Sequence, residues 1–223
     1  MEIIQFENFI KKIDWWYLKQ YFTGRISLFR YYQNIFIKKF GAECQGKVLE
    51  IGADQSWSYN NYFPKANEYL HTNIIGDFDL IVDATNMFSI PDNSLDVIVC
   101  ISVLEHIFEH DKAINEIERV LKPGGKLILT VPFGFPYHDD VDYWRFSRDY
   151  FPVAMEKFIL HTVTNMGGRL STIVNTLQRP CGRLTLRYFL YKLLGFLIAI
   201  IAVKLDVKDS FPLGYGIFAE KNK

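Results

Sequence analysis

Cysteine is scarce in this chain. Only Cys44, Cys100 and Cys181 occur in 223 residues, and no two of them form a C-x-x-C pair. That spacing argues against a disulfide framework or a structural zinc site and fits a reducing compartment. Net charge is missing too, because 25 Lys and Arg balance 25 Asp and Glu. The balance argues against a polycation that coats nucleic acid and against a disordered acidic tail. The opening stretch MEIIQFENF is acidic early and lacks an apolar core followed by small residues, so no signal peptide is expected. A dinucleotide fingerprint GxGxxG is absent, which disfavours a nicotinamide oxidoreductase. The phosphate loop GxxxxGK[ST] is absent as well, which excludes a P-loop phosphotransferase. There is no internal repeat and no low-complexity segment.

Apolar residues are abundant. They make up 49% of the chain, enough to build the core of one ordinary domain. Charge is unevenly spread: residues 1–40 hold seven Lys/Arg against three Asp/Glu, whereas 51–111 hold ten Asp/Glu and only Lys65. A basic, aromatic stretch thus precedes an acidic centre. Within it Phe29, Tyr32, Phe36 and Phe40 recur at spacings of three and four, which predicts one apolar stripe on a helix. Gly24 is expected to divide this region into two helices, and 1–40 reads as a helical N-terminal arm.

From residue 47 the pattern changes to short apolar runs. Residues 47–52, 69–74, 79–83, 95–101 and 126–131 read as five buried strands of a mostly parallel sheet. Between the fourth and fifth, Ala113, Ile114, Ile117, Val120 and Leu121 mark the buried face of a helix, and Lys122-Pro123-Gly124-Gly125 is expected to end it. Residues 147–156 read as helix, and 159–164 and 214–220 as strands. Strands alternating with helices predict a doubly wound α/β domain over 41–223. An apolar helical insertion at 183–208 interrupts it.

The first strand ends in Glu50-Ile51-Gly52-Ala53-Asp54, where a glycine lets a ligand approach the backbone. Three ordered segments then carry a resemblance: VLEIGAD at 48–54, DATNMFSIPDNSLDVIVCISVLEHI at 83–107 and RVLKPGGKLILTVP at 119–132. Together they resemble the class I S-adenosylmethionine-dependent methyltransferases, most nearly the type-11 group, over about residues 45–165. The resemblance implies a Rossmann-like sheet with S-adenosylmethionine as cofactor. It places Glu50 at the methionine moiety, Gly52 and Ala53 beside the cofactor backbone, and Asn73 where an acidic residue usually meets the ribose. Asp83 and Ala84 fall at the adenine. Cys100, Ile101 and Ser102 lie in the loop beneath the methyl donor. Two further glycines of the usual loop are replaced by Asp54 and Ser56. Asn73 loses the charge-assisted component of a ribose bond, so either the cofactor binds somewhat weakly or Asp77 or Asp54 substitutes.

A second cluster, His138-Asp139-Asp140 then Asp142-Tyr143-Trp144-Arg145-Phe146, follows the fifth strand and so lies above the same crevice. Its alternatives are a substrate wall or an Asp-capped turn with aromatic anchors. On the first reading His138 is the base, Asp139 orients it, and Arg145 meets the substrate. His106 is expected either beside the cofactor pocket or capping the next helix. His138, Asp139 and Asp142 have residue types suited to a metal, but their spacing fixes no geometry and none is expected.

The implied reaction is methyl transfer to a hydroxyl of a small molecule, a glycan or a lipid-linked intermediate. The alternative is a degenerate cofactor-binding copy acting as an assembly partner. The base-methylating signature [ND]PP[YFW] and a catalytic Pro-Cys are absent, and no nucleic-acid partner is expected. The eleven uncharged residues 193–203 would span about 16 Å as a helix, against about 30 Å of hydrocarbon core, so no crossing is expected. The wider segment 186–205 reads as a buried helix, as a homodimer contact, or as a helix lying on a membrane. The location is expected to be cytoplasmic, free or peripheral on a membrane.

Overall fold

The computed structural model describes residues 20, 26–177, 193–195, 197–198, 201 and 211–223. Helix α1 (Leu28–Gly41) opens the described body, followed by strand β1 (Gln45–Ile51), β2 (Lys65–Asn73), β3 (Leu80–Ile81) and β4 (Leu95–Ile101). Then come α2 (His110–Val120), β5 (Leu121–Pro132), α3 (Tyr150–Ala154), β6 (Phe158–Met166), α4 (Arg169–Leu177) and β7 (Gly214–Lys221). The seven strands form one sheet in the order β3-β2-β1-β4-β5-β7-β6. The first five are parallel. β7 inserts antiparallel between β5 and β6. The chain leaves β1 in one direction and returns to β4 on its other side, so the carboxyl ends of β1 and β4 flank the topological switch point.

The central strands are apolar because both faces of the sheet are covered. Leu49 and Ile51 pack into one core cluster with Leu127, Leu129 and Ile117. Val48, Val97 and Val99 pack on the opposite face with Phe36, Ile37 and Phe40. The stripe predicted on α1 is there, with Phe29, Tyr32, Phe36 and Phe40 all buried. Ser27 starts the helix by accepting a hydrogen bond from the Arg30 amide at 3.1 Å, and Lys38 and Lys39 suit its last turn. The described part of the predicted arm is therefore a wall of the core. Gly24 and the break expected there lie outside the described residues.

The strands stand where the sequence places them, but the helices between them do not all form. Residues 52–64 cross from β1 to β2 with only a 3₁₀ turn, Asn60–Tyr62. The passages from β2 to β3 and from β3 to β4 also lack an α-helix. α1, which precedes β1, covers the face such a helix would cover. The Lys-Pro-Gly-Gly stretch also behaves differently from expectation. α2 stops at Val120, and Leu121 is already extended. Pro123 disfavours the helical conformation for Lys122, and Gly124, at φ +78°, sits inside β5 rather than after a helix.

Most of 186–205 lies outside the described residues. Within it Leu193, Leu194, Leu197, Ile198 and Ile201 are helical and exposed. Among the described residues, no helix is long and apolar enough to cross a membrane.

Candidate active site

A cavity of about 230 Å³ opens at the carboxyl ends of β1 and β4. Gly52 forms its floor at φ +70°, a conformation that other L-residues resist, and a Cβ there would stand 2.4 Å from Val103 Cγ2. Glu50 is buried beside it. The Tyr69 hydroxyl donates to its Oε2 at 2.6 Å. Burial pushes this carboxyl upward in pKa, while the Tyr69 hydroxyl and the Tyr59 amide favour the charge. Asp54 also lines the cavity, and its carboxyl accepts from the Ser56 hydroxyl and amide, each at 2.7 Å.

Helix α1 builds the facing wall. Arg30 donates to the Tyr59 hydroxyl, whose own pKa is raised to about 12 chiefly by burial. Gln33 is buried, and its Nε2 donates to Ser102 Oγ at 2.7 Å and to Thr130 Oγ1 at 2.9 Å. Ser102 follows β4 at φ +54°, an uncommon conformation held in place by that bond and by its amide donating to the Thr130 carbonyl. No motif singles out Arg30 or Gln33. Only the folding of α1 across the sheet brings them to the site.

The loop after β5 closes the third side through Phe135, His138 and Asp139. His138 Nδ1 lies 3.0 Å from Asp142 Oδ2, and Asp142 also accepts from the His138 amide. Burial works against the charge on Asp142, but hydrogen bonds from Arg145 and the His138 amide outweigh it and hold the carboxyl down to about 2. Arg145 grips both Asp142 oxygens and donates to the carbonyls of Phe135, Pro136 and Trp144. Below this loop Glu105 is fully buried, with its Oε1 at 3.7 Å from Nε2 of both His106 and His138. Burial drives the Glu105 pKa up to about 8.

Residues 59–129 match the family model described as a methyltransferase domain, of the type-11 group. Over those residues the chain carries a methyltransferase domain. An uncharacterized protein of Methanocaldococcus jannaschii is 36% identical over 104 residues, 44% of this chain and 46% of that protein. The ubiquinone/menaquinone biosynthesis C-methyltransferase UbiE of Pseudoalteromonas translucida is 36% identical over 73 residues, 32% of this chain and 29% of its own. The chain thus spans less than half the length of these curated relatives. The fold is shared with a SAM-dependent methyltransferase from Archaeoglobus fulgidus at TM-score 0.56 and 15% identity, covering 93% of this chain and all of that one.

The methyltransferase domain's cavity suits the cofactor of this fold at its methionine end. Gly52 leaves no room for a side chain, and Glu50 and Arg30 line the same space with opposite charges fit for an ammonium and a carboxylate. Of the other residues the resemblance assigned to the cofactor, Ile101 and Ser102 also line the cavity. Ala53 is buried beside it. Asn73 is engaged with the loop itself, its Nδ2 donating to the Ala53 carbonyl at 3.0 Å and its Oδ1 accepting from the Ile74 amide at 2.7 Å. Asp83 caps its own turn through the Thr85 amide and hydroxyl, with Ala84 buried behind it. The Cys100 side chain is packed in the core, and burial pushes its thiol pKa up. Of the second cluster, His138 and Asp139 line the cavity, whereas Arg145 organises the loop.

Proposed function

We propose that this chain transfers the S-adenosylmethionine methyl group to a hydroxyl of an acceptor that enters between the Gly52 loop and the loop after β5. The bound cofactor supplies a methyl already activated by its sulfonium, so the chain's main task is alignment. The observation that supports the reading is one cavity lined on one side by Glu50, Gly52 and Arg30 and on the other by His138 and Asp139. Asp142 accepts the Nδ1 proton of His138 and so leaves Nε2 unprotonated on a ring that lines the cavity, available to take the acceptor's proton. Arg145 keeps Asp142 charged and in position. Phe135 and the buried Tyr59 present ring surface to the same space. Turnover measured on a panel of hydroxyl-bearing small molecules, glycans and lipid-linked glycans tests the reading. Methylation of carbon or nitrogen acceptors alone would replace it, and cofactor binding without turnover on any acceptor would favour the degenerate copy.

The acceptor's lipid-linked form is supported by the exposed apolar side chains of Leu194, Leu197 and Ile201. Arg187, Lys192 and Lys204 lie close to them in sequence. Apolar contact framed by cations suits the surface of an anionic membrane.

A further inference from the structure

We infer that Glu105, His106 and His138 form a site for one divalent first-row transition ion of the zinc class on the wall of the cavity. The inference rests on the reading of the cavity above only for what the ion would do, not for its place.

Three acceptors meet here without a donor between them. The Val141 carbonyl can only accept, so His106 Nδ1 carries its proton and Nε2 presents a lone pair. The Asp142 carboxylate likewise fixes the His138 proton on Nδ1 and turns the Nε2 lone pair inward. Both lone pairs face Glu105 Oε1, each at 3.7 Å. Glu105 is fully buried, and neither of its oxygens accepts a hydrogen bond from another residue. A buried carboxylate in that state is costly unless a cation or a proton joins it.

The spacing suits a cation. Atoms about 2.0–2.2 Å from a tetrahedral ion lie about 3.3–3.6 Å apart, and one ligand atom from each of the three residues lies within 4.8 Å of the others. Asp139 Oδ2 stands on the cavity side, 3.6 Å from His106 Nε2 and 3.9 Å from His138 Nε2. Asp139 is itself held at φ +58° with an exposed side chain. The outer partners follow the pattern of metal sites, where each ligating imidazole gives its other N–H to a carbonyl or a carboxylate. Two imidazoles and a carboxylate select zinc, cobalt or iron over magnesium and calcium, which prefer oxygen ligands. Because His138 and Asp139 line the cavity, the ion's remaining side faces the acceptor. With the ion in place the His138 lone pair is a ligand, and Asp139 is the group left to pass the acceptor's proton to water.

The test uses the full chain, stripped with a chelator and titrated with Zn²⁺ by calorimetry and with Co²⁺ by visible absorption, both without cofactor. The expected result is one ion per chain and an intense cobalt band typical of low coordination number. His106→Gln and His138→Gln should each weaken Zn²⁺ at least tenfold, whereas His71→Gln, on the far side of the Gly52 loop, should change it less than twofold. No saturable Zn²⁺ binding and no cobalt band in the folded wild-type chain would overturn the site, and that outcome needs no variant to fold. Affinity unchanged in both histidine variants would overturn it too. Full turnover by a chain that binds no Zn²⁺ would remove the ion and leave the transfer reading standing. One bound ion in a chain inactive on every acceptor would do the reverse.

Discussion

Gly52 has no space for a side chain, and its substitution should disturb the loop that floors the cavity. In Gly52→Val the new atoms meet Val103 in a backbone conformation that resists β-branched residues. Cofactor affinity by calorimetry should fall below detection while far-UV circular dichroism stays native; a folded variant that binds as tightly as wild type would refute the placement. His138→Ala should act on the other wall, leaving cofactor affinity within about twofold and lowering turnover by about 10²–10⁴. Turnover that survives would exclude this loop from the chemistry. Asn73 invites the opposite prediction from the one its position in the sequence suggests. A carboxylate there looks like a restored ribose ligand, yet Asn73→Asp removes the donor to the Ala53 carbonyl and sets two acceptors against each other. Cofactor binding should weaken, by about 1 kcal/mol for one lost hydrogen bond. Tighter binding would show that the amide lets go of the loop when the ribose arrives. That Glu50, Gly52 and His138 line one crevice was legible because short motifs flank identifiable strands. Glu105 stands in the same LEHI stretch, but nothing local shows that it is buried without a partner.

At the level of elements, the passage from β3 to β4 is held by side chains rather than by a helix of its own. Arg119 on α2 donates to the Met87 and Ile90 carbonyls and to both oxygens of Glu116. Glu116 in turn accepts from the Met87 amide at 2.6 Å. Arg119→Met should therefore lower unfolding stability in urea by about 1–3 kcal/mol, the range for a broken partly buried network. Hydrogen bonds from Arg119 hold the Glu116 carboxyl below its ordinary pKa. Its contribution is complete above the unfolded value of about 4.3 and is lost as pH falls through the lower folded one. The gap between wild type and Glu116→Gln should accordingly narrow from pH 7 to pH 3, and a constant gap would contradict the network. The strands and α2 could be read from periodicity alone. The missing crossover helix at 52–64 could not, because Tyr59, Tyr62 and Phe63 recur at the three-and-four spacing of a helix and yet only a 3₁₀ turn forms there. Those three rings pack instead against α1 or β2.

For the molecule as a whole, the exposed apolar side chains between α4 and β7 predict a surface role. The chain should float with anionic vesicles and much less with neutral ones, and added salt should release it. Leu194→Asp with Leu197→Asp should abolish flotation. A change in oligomer size with flotation intact would make this face a contact between two copies instead. The other whole-molecule feature is the position of α1, which contributes Arg30 and Gln33 to the cavity while its aromatic face lies in the core. Docking of this helix and filling of the cavity are then two linked equilibria, each favouring the other by the same factor. Amide hydrogen exchange along Leu28–Gly41 should slow when cofactor is added, although of that helix only Phe29, Arg30 and Gln33 line the cavity. A variant that loosens α1 from the sheet would lose affinity without losing a single ligand contact, so the tightness of cofactor binding measures how firmly the N-terminal helix is seated.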